Sequence, residues 1–189
     1  MKPPAELLAL IAYRMQAIAF GHLALRHSMS WDKVPSLRID FDGARIIEGK
    51  ATAFTNSAIE AAIIHCRALL EFLGLAGQSQ TELKERHGRG YADDHGIEHF
   101  GNLPKLTIAR AVSCYPGSKG DAEAALAYVM YLANKGLAHT TSSFTKHDQD
   151  AHLIDIAFRG VPQLVINNFY LPLGIEPPNY MLPRRPRAP

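Results

Sequence analysis

The sequence predicts an all-α fold, an antiparallel helical bundle of about five helices with one long irregular loop region and an extended proline-rich C-terminal tail. Three observations carry this. Apolar residues recur at helical spacing in several long windows, Pro and Gly separate those windows, and 47% hydrophobic against 20% charged residues supplies enough apolar surface for one buried core. At 189 residues the chain is long enough for a single bundle domain, assigned to residues 1–171, with a Pro/Arg-rich tail over 172–189.

Residues 5–27 form the first helix, with Leu7, Leu8, Leu10, Ile11, Met15 and Ile18 at helical spacing behind Pro3 and Pro4. The chain then turns polar and irregular from Ser28 to Lys50, where Leu37, Ile39 and Phe41 alternate with polar neighbours as in a short strand or hairpin. The clearest helix runs over 55–74. Ile59, Ala62, Ile63, Cys66, Leu69, Leu70 and Leu73 form its stripe, Thr55, Asn56 or Ser57 caps its start, and Gly74 and Gly77 stop it.

A hydrophilic, glycine-containing stretch between Gly77 and Asn102 reads as a long exposed loop holding a short helix around Gln80 to Arg86. Pro104 opens a helix to about Tyr115, and Pro116 with Gly117 breaks it. Ser118 or Asp121 caps the next helix, which runs to about His139 with Ala122, Leu126, Val129, Met130, Ala133 and Leu137 facing inward. Residues 151–171 form two short helices or one kinked helix, because Gly160 and Pro162 interrupt them. The tail after Leu171 is extended and polyproline-like.

Composition excludes several classes of function. Twenty Lys and Arg against eighteen Asp and Glu leave a formal charge of +2, so any RNA contact is local rather than driven by net charge. Two cysteines, Cys66 and Cys114, cannot build a disulfide framework or a four-thiolate zinc site, and Cys66 falls at a core spacing as a buried thiol. Free thiols fit a reducing cytoplasm. The N-terminus is read as an amphipathic helix rather than a signal sequence, with no window approaching the length of apolar chain that spans a bilayer, so no membrane partner is expected. Phosphate-loop, dinucleotide and nucleophile-elbow motifs are absent.

Two helical segments concentrate the side chains capable of chemistry. On the first, Glu60, Arg67 and Glu71 fall within roughly 40° of one another beside the apolar stripe, either as a surface ion pair or with the guanidinium directed into a groove. His65 lies on the opposite flank and can cap the core through one hydrogen bond. On the second, Lys135 and His139 share a side, where they could hold an anion or simply oppose the helix dipole, while Asn134 lies roughly 140° away from His139. His95 and His99, four residues apart among Asp93, Asp94 and Glu98, have a zinc-like spacing, but Gly96 and the lack of a third ligand favour a solvated loop. The Arg184, Arg185 and Arg187 tail reads as a solubilising terminus.

The stretches Ala58 to Phe72 (AIEAAIIHCRALLEF) and Asn134 to Thr140 (NKGLAHT) resemble paired signatures of helical proteins of the HEPN superfamily. The resemblance implies a bundle of four or five helices that dimerises. Catalytic members of that superfamily cleave RNA without metal, using an Arg, a following polar residue and a His about five positions on. His139 would match that His and Asn134 the polar residue, whereas Ala133 and Asn134 stand where the Arg is expected. Without it, phosphate stabilisation would fall to Lys135, Arg67 or a second chain.

The expected function is therefore a non-catalytic, homodimeric HEPN-like binding or interaction protein, with another protein, RNA or a nucleotide as further partner and no cofactor. His65, Arg67 and Glu71 are its candidate binding residues. Two enzyme readings stand beside it: a metal-independent ribonuclease or nucleotide-acting enzyme using His139 with Lys135, Asn134 and Arg67, and a metal-dependent hydrolase built on His95 and His99.

Overall fold

The computed structural model describes residues 2–87, 94–113, 115, 118–137 and 151–181. Helix α1 spans Ala5–Ser28, with Pro4 in extended backbone before it, Glu6 in its first turn and Arg26 and His27 in its last, each charge placed to suit the helix dipole. Its buried stripe is Leu7, Ile11, Met15, Ile18 and Leu25. Helix α2 spans Thr52–Leu73 and buries Ala62, Ile63, Cys66, Leu69, Leu70 and Leu73.

The two helices are antiparallel neighbours, since Phe20 meets Phe54 at one end and Tyr13 meets His65 at the other. Small residues set their separation. A Cβ on Gly21 would lie 2.3 Å from the Ala62 Cβ and 2.8 Å from the Ala58 carbonyl oxygen, so only glycine permits this approach.

Helix α1 ends in an arm. Strands β1 (Ser36–Phe41) and β2 (Ala44–Lys50) pair antiparallel with Ile39 opposite Ile47 and a bulge at Ile39/Asp40. Asp42 and Gly43 form the turn, both with positive φ (49° and 81°), as a two-residue hairpin turn of this hand demands. A second hairpin, β3 (Leu75–Gly77) with β4 (Leu83–Glu85), follows α2 and buries Leu75 and Leu83. Gly74, at φ 97°, ends α2 in the left-handed region and lets the chain turn into β3.

Helix α3 covers Ile108–Ser113, α4 covers Lys119–Tyr131, and α5 covers Ala151–Val165. Both α4 and α5 continue as π-turns, Leu132–Gly136 and Ile166–Tyr170, each closed by an amide bonding five residues back: Leu137 to the Leu132 carbonyl at 2.9 Å, Leu171 to the Ile166 carbonyl at 3.0 Å. Helix α5 packs on α1, α2 and α4. The core between them includes Met15, Leu69, Leu70, Val129, Met130, Val161, Val165 and Phe169.

The architecture is mostly helical, with five α-helices among the described residues, yet the all-α expectation needs correction because two small antiparallel sheets accompany them. The helix expected around Gln80 to Arg86 is instead strand β4, and Ile97 and Phe100 are buried within the segment expected to be an exposed loop. Helix α2 starts earlier than the expected cap: Thr55 and Ser57 lie inside it and return their hydroxyls to the Ala51 and Ala53 carbonyls. Helix α3 starts at Ile108 rather than Pro104, because the Leu106 amide is already bonded to the Leu73 carbonyl at 2.8 Å.

Helix α5 is one helix, with Pro162 buried inside it. After the Ile166–Tyr170 π-turn, Leu173, Ile175 and Tyr180 pack against the core. The expectation that no segment is apolar enough to span a bilayer is also corrected. Helix α1 has the length and hydropathy to do so, because Arg14 is the sole Lys, Arg, Asp or Glu between Leu7 and Leu25; a third of its most apolar window is buried inside the protein.

Candidate functional site

The outward side of the α1–α2 pair holds an open groove of about 500 Å³. Tyr13, Ala17 and Phe20 reach it from α1, and Phe54, Ala61 and His65 from α2. The positions repeat at three- and four-residue steps, so each helix carries a second apolar stripe beside the one facing the core. A helix that is apolar on two flanks has a second surface to cover.

Exposure follows this pattern across the chain. Of the twelve large apolar side chains exposed among the described residues, ten lie between Leu10 and Ile64; only Leu171 and Met181 lie elsewhere. Tyr13 is 58% exposed and Phe54 40%. Contiguous apolar surface of this kind marks interaction sites, whereas scattered single residues do not.

One end of the groove is polar. Arg14 Nη1 donates to His65 Nδ1 at 3.2 Å, and the Tyr13 ring stands edge-on to the imidazole at 5.2 Å between centroids. Burial and, after it, the Arg14 charge push the His65 pKa below the ordinary histidine value, so the ring is neutral at pH 7. A neutral ring with Nδ1 accepting carries its proton on Nε2. His65, expected as a cap on the core, thus links α2 to α1 at the groove.

The other expected binding residues are accounted for more simply. Arg67 Nε donates to Glu71 Oε1 at 2.9 Å, both side chains about one-third exposed, which makes them an ion pair along one helix. Asn134 and Lys135 lie exposed on the Leu132–Gly136 π-turn, while Leu132 and Ala133 are buried. Among the described residues no hydrogen bond or ion pair joins Arg67 to Asn134 or Lys135. His139 lies outside the described residues, as do Cys114 and Arg184, Arg185 and Arg187.

His95 and His99 do not converge on a metal position. His99 Nδ1 accepts from the Gly96 amide at 3.3 Å, and Glu98 between them pairs with Lys105 Nζ at 3.1 Å. Burial raises the Glu98 pKa, but its own backbone amide and Lys105 outweigh that and hold it below the usual carboxylate value. Among the described residues no group of three or more His, Cys, Asp or Glu is arranged to hold a metal ion.

Sequence reasoning missed a polar link between α1 and α5. His22 Nε2 lies 2.8 Å from Asp155 Oδ1, and Arg159 grips Oδ2 through Nε at 2.9 Å and Nη2 at 2.8 Å. The Asp155–Arg159 spacing of four was visible; its partner 133 residues away was not. Arg14, one turn from Ile18 in an apolar helix, was the available signal for the groove. A second, smaller cavity of about 190 Å³ lies between α3, α4 and α5, bordered by Leu126, Ile156 and Gly160.

Compared with models of known protein families, with curated proteins and with solved structures, the chain matches none, so its functional reading rests on its own residues.

Proposed function

We propose that this protein is a non-catalytic, HEPN-like interaction module of the cytoplasm that works as a homodimer through its helix faces. The observation that carries this is the apolar groove on the outward side of α1–α2, with the exposed apolar side chains of the chain gathered around it. Covering apolar surface stabilises an assembly by about 25 cal/mol per Å², so two such faces gain by meeting each other. Sedimentation velocity across a dilution series tests it. The wild type runs as a dimer, and Tyr13→Glu, on a largely exposed position that folding does not need, shifts it to monomer. A wild type that stays monomeric throughout refutes the reading.

A second reading, metal-independent RNA cleavage through His139, is favoured by one observation. Asn134 and Lys135 are solvent-facing on a π-turn, a helical irregularity frequent at functional sites. Lys135 would hold a phosphate and Asn134 orient it. Against this stands Ala133, buried at a position where the family's Arg is expected. Chelator-resistant cleavage of a mixed-sequence RNA, lost in His139→Ala, would establish it; equal inactivity of both proteins would remove it.

A further inference from the structure

The β1–β2 arm and the α1–α2 groove are both apolar surfaces without a partner in the monomer. In the arm, every residue from 40 to 50 is exposed, including Phe41, Ile46 and Ile47. Register places Ile39 opposite Ile47 and Leu37 opposite Gly49, so Leu37, Ile39 and Ile47 share one face, while Arg38 pairs with Asp40 along the same strand. An isolated two-stranded hairpin is marginally stable in water and gains from docking its apolar face.

We propose that the groove of one protomer is filled by the β1–β2 arm of a second copy, reciprocally, so that each chain donates one arm and receives one. This rests on the dimer reading above and names its contact.

Three observations select a second copy as the occupant. The exposure of the arm shows that it does not lie on its own bundle. Its charges cancel, with Arg38, Arg45 and Lys50 against Asp40, Asp42 and Glu48, so a phosphate backbone or an anionic membrane gains nothing from it.

Area supplies the third. Tyr13 to Phe20 is only ~10 Å of helix, short of the ~800 Å² per partner that stable interfaces bury. A strand of six or seven residues reaches ~20 Å, so two arms laid reciprocally extend the contact to that scale. Both surfaces belong to one chain, which is the condition for a two-fold, self-complementary interface.

The test uses the full-length chain. Ile39→Asp/Ile47→Asp and, separately, Tyr13→Glu are followed by sedimentation and by far-UV circular dichroism. Both are expected to weaken dimerisation at least ~100-fold with helical signal unchanged, since buried charge opposes apolar contact. If Tyr13→Glu dissociates the dimer and the arm variant retains wild-type affinity, the arm inference falls and the helix-face dimer stands. A monomeric wild type removes both.

A second measurement covers loss of structure in the arm variant. A nitroxide on Arg45→Cys in a Cys114→Ser background is mixed with unlabelled, isotope-enriched protein. Broadening of the Tyr13, Phe20 and Phe54 amides of the unlabelled copy is expected, and its absence overturns the proposal.

Discussion

Gly21 and Gly160 both sit inside long helices, yet replacing each with alanine should move stability in opposite directions. Exchanging glycine for alanine within a helix gains about 1 kcal/mol from reduced backbone entropy. At Gly160 nothing lies within 4 Å of the added Cβ, so the full gain is expected. At Gly21 the new methyl meets the Ala62 Cβ at 2.3 Å and the Ala58 carbonyl at 2.8 Å, and the second of these is backbone that a rotamer change cannot move. Parting α1 from α2 costs about 2–3 kcal/mol by the measure of overpacked cores, which leaves a net loss of about 1–2 kcal/mol.

For a chain of this size 1 kcal/mol corresponds to about 2–4 °C in Tm. Gly160→Ala should therefore melt about 2–4 °C above wild type, and Gly21→Ala about 2–8 °C below it. Thermal unfolding followed by circular dichroism measures both. A Gly21→Ala protein melting at or above wild type would refute the close helix approach, and with it the shape of the groove beside it.

Two further predictions concern ion pairs. Arg67→Ala should cost only about 0.3–0.5 kcal/mol in urea unfolding, as an i,i+4 pair about one-third exposed does; a loss above about 1 kcal/mol would show that Arg67 does more than pair with Glu71. Asp155 has its pKa raised by burial, but His22 and Arg159 outweigh this and hold it below the ordinary aspartate value. A carboxyl depressed in the folded state stabilises the fold above its unfolded-state pKa and loses that contribution as pH falls through the folded value. Asp155→Asn should accordingly cost about 1–2 kcal/mol near neutral pH and progressively less in acid, and a cost independent of pH would contradict the assignment.

The helical body was readable because its signal is periodic. Stripes such as Ile63, Cys66, Leu70 and Leu73 state both the element and the buried face, and Ser118 states where α4 begins, accepting from the Asp121 amide at 3.5 Å. The hairpins were harder. Gln80 to Arg86 has no period that separates strand from helix, and only pairing with Leu75–Gly77 decides it. The arm did carry a signal, Asp42-Gly43 between two apolar runs, stronger than the alternation around Leu37 alone.

Site residues were legible by type and not by partner. His65 was singled out, but its contacts are Arg14 and Tyr13, some fifty residues earlier in the chain. Spacing along one helix cannot reveal what a different helix brings to it. The same limit hid His22 from Asp155.

The π-turns at the ends of α4 and α5 bear on how the chain can change length. Each accommodates one residue more than an α-helical turn would, closing five residues back instead of four. Deleting one residue from Ile166–Tyr170 would let the turn relax to α-helix without breaking the hydrogen-bond ladder, but it would rotate everything beyond by about 100°. Leu173, Ile175 and Tyr180 would then leave the core they now cover. The extra residue acts as a phase setting: at these two places the protein is sensitive to the number of residues as well as to their kind.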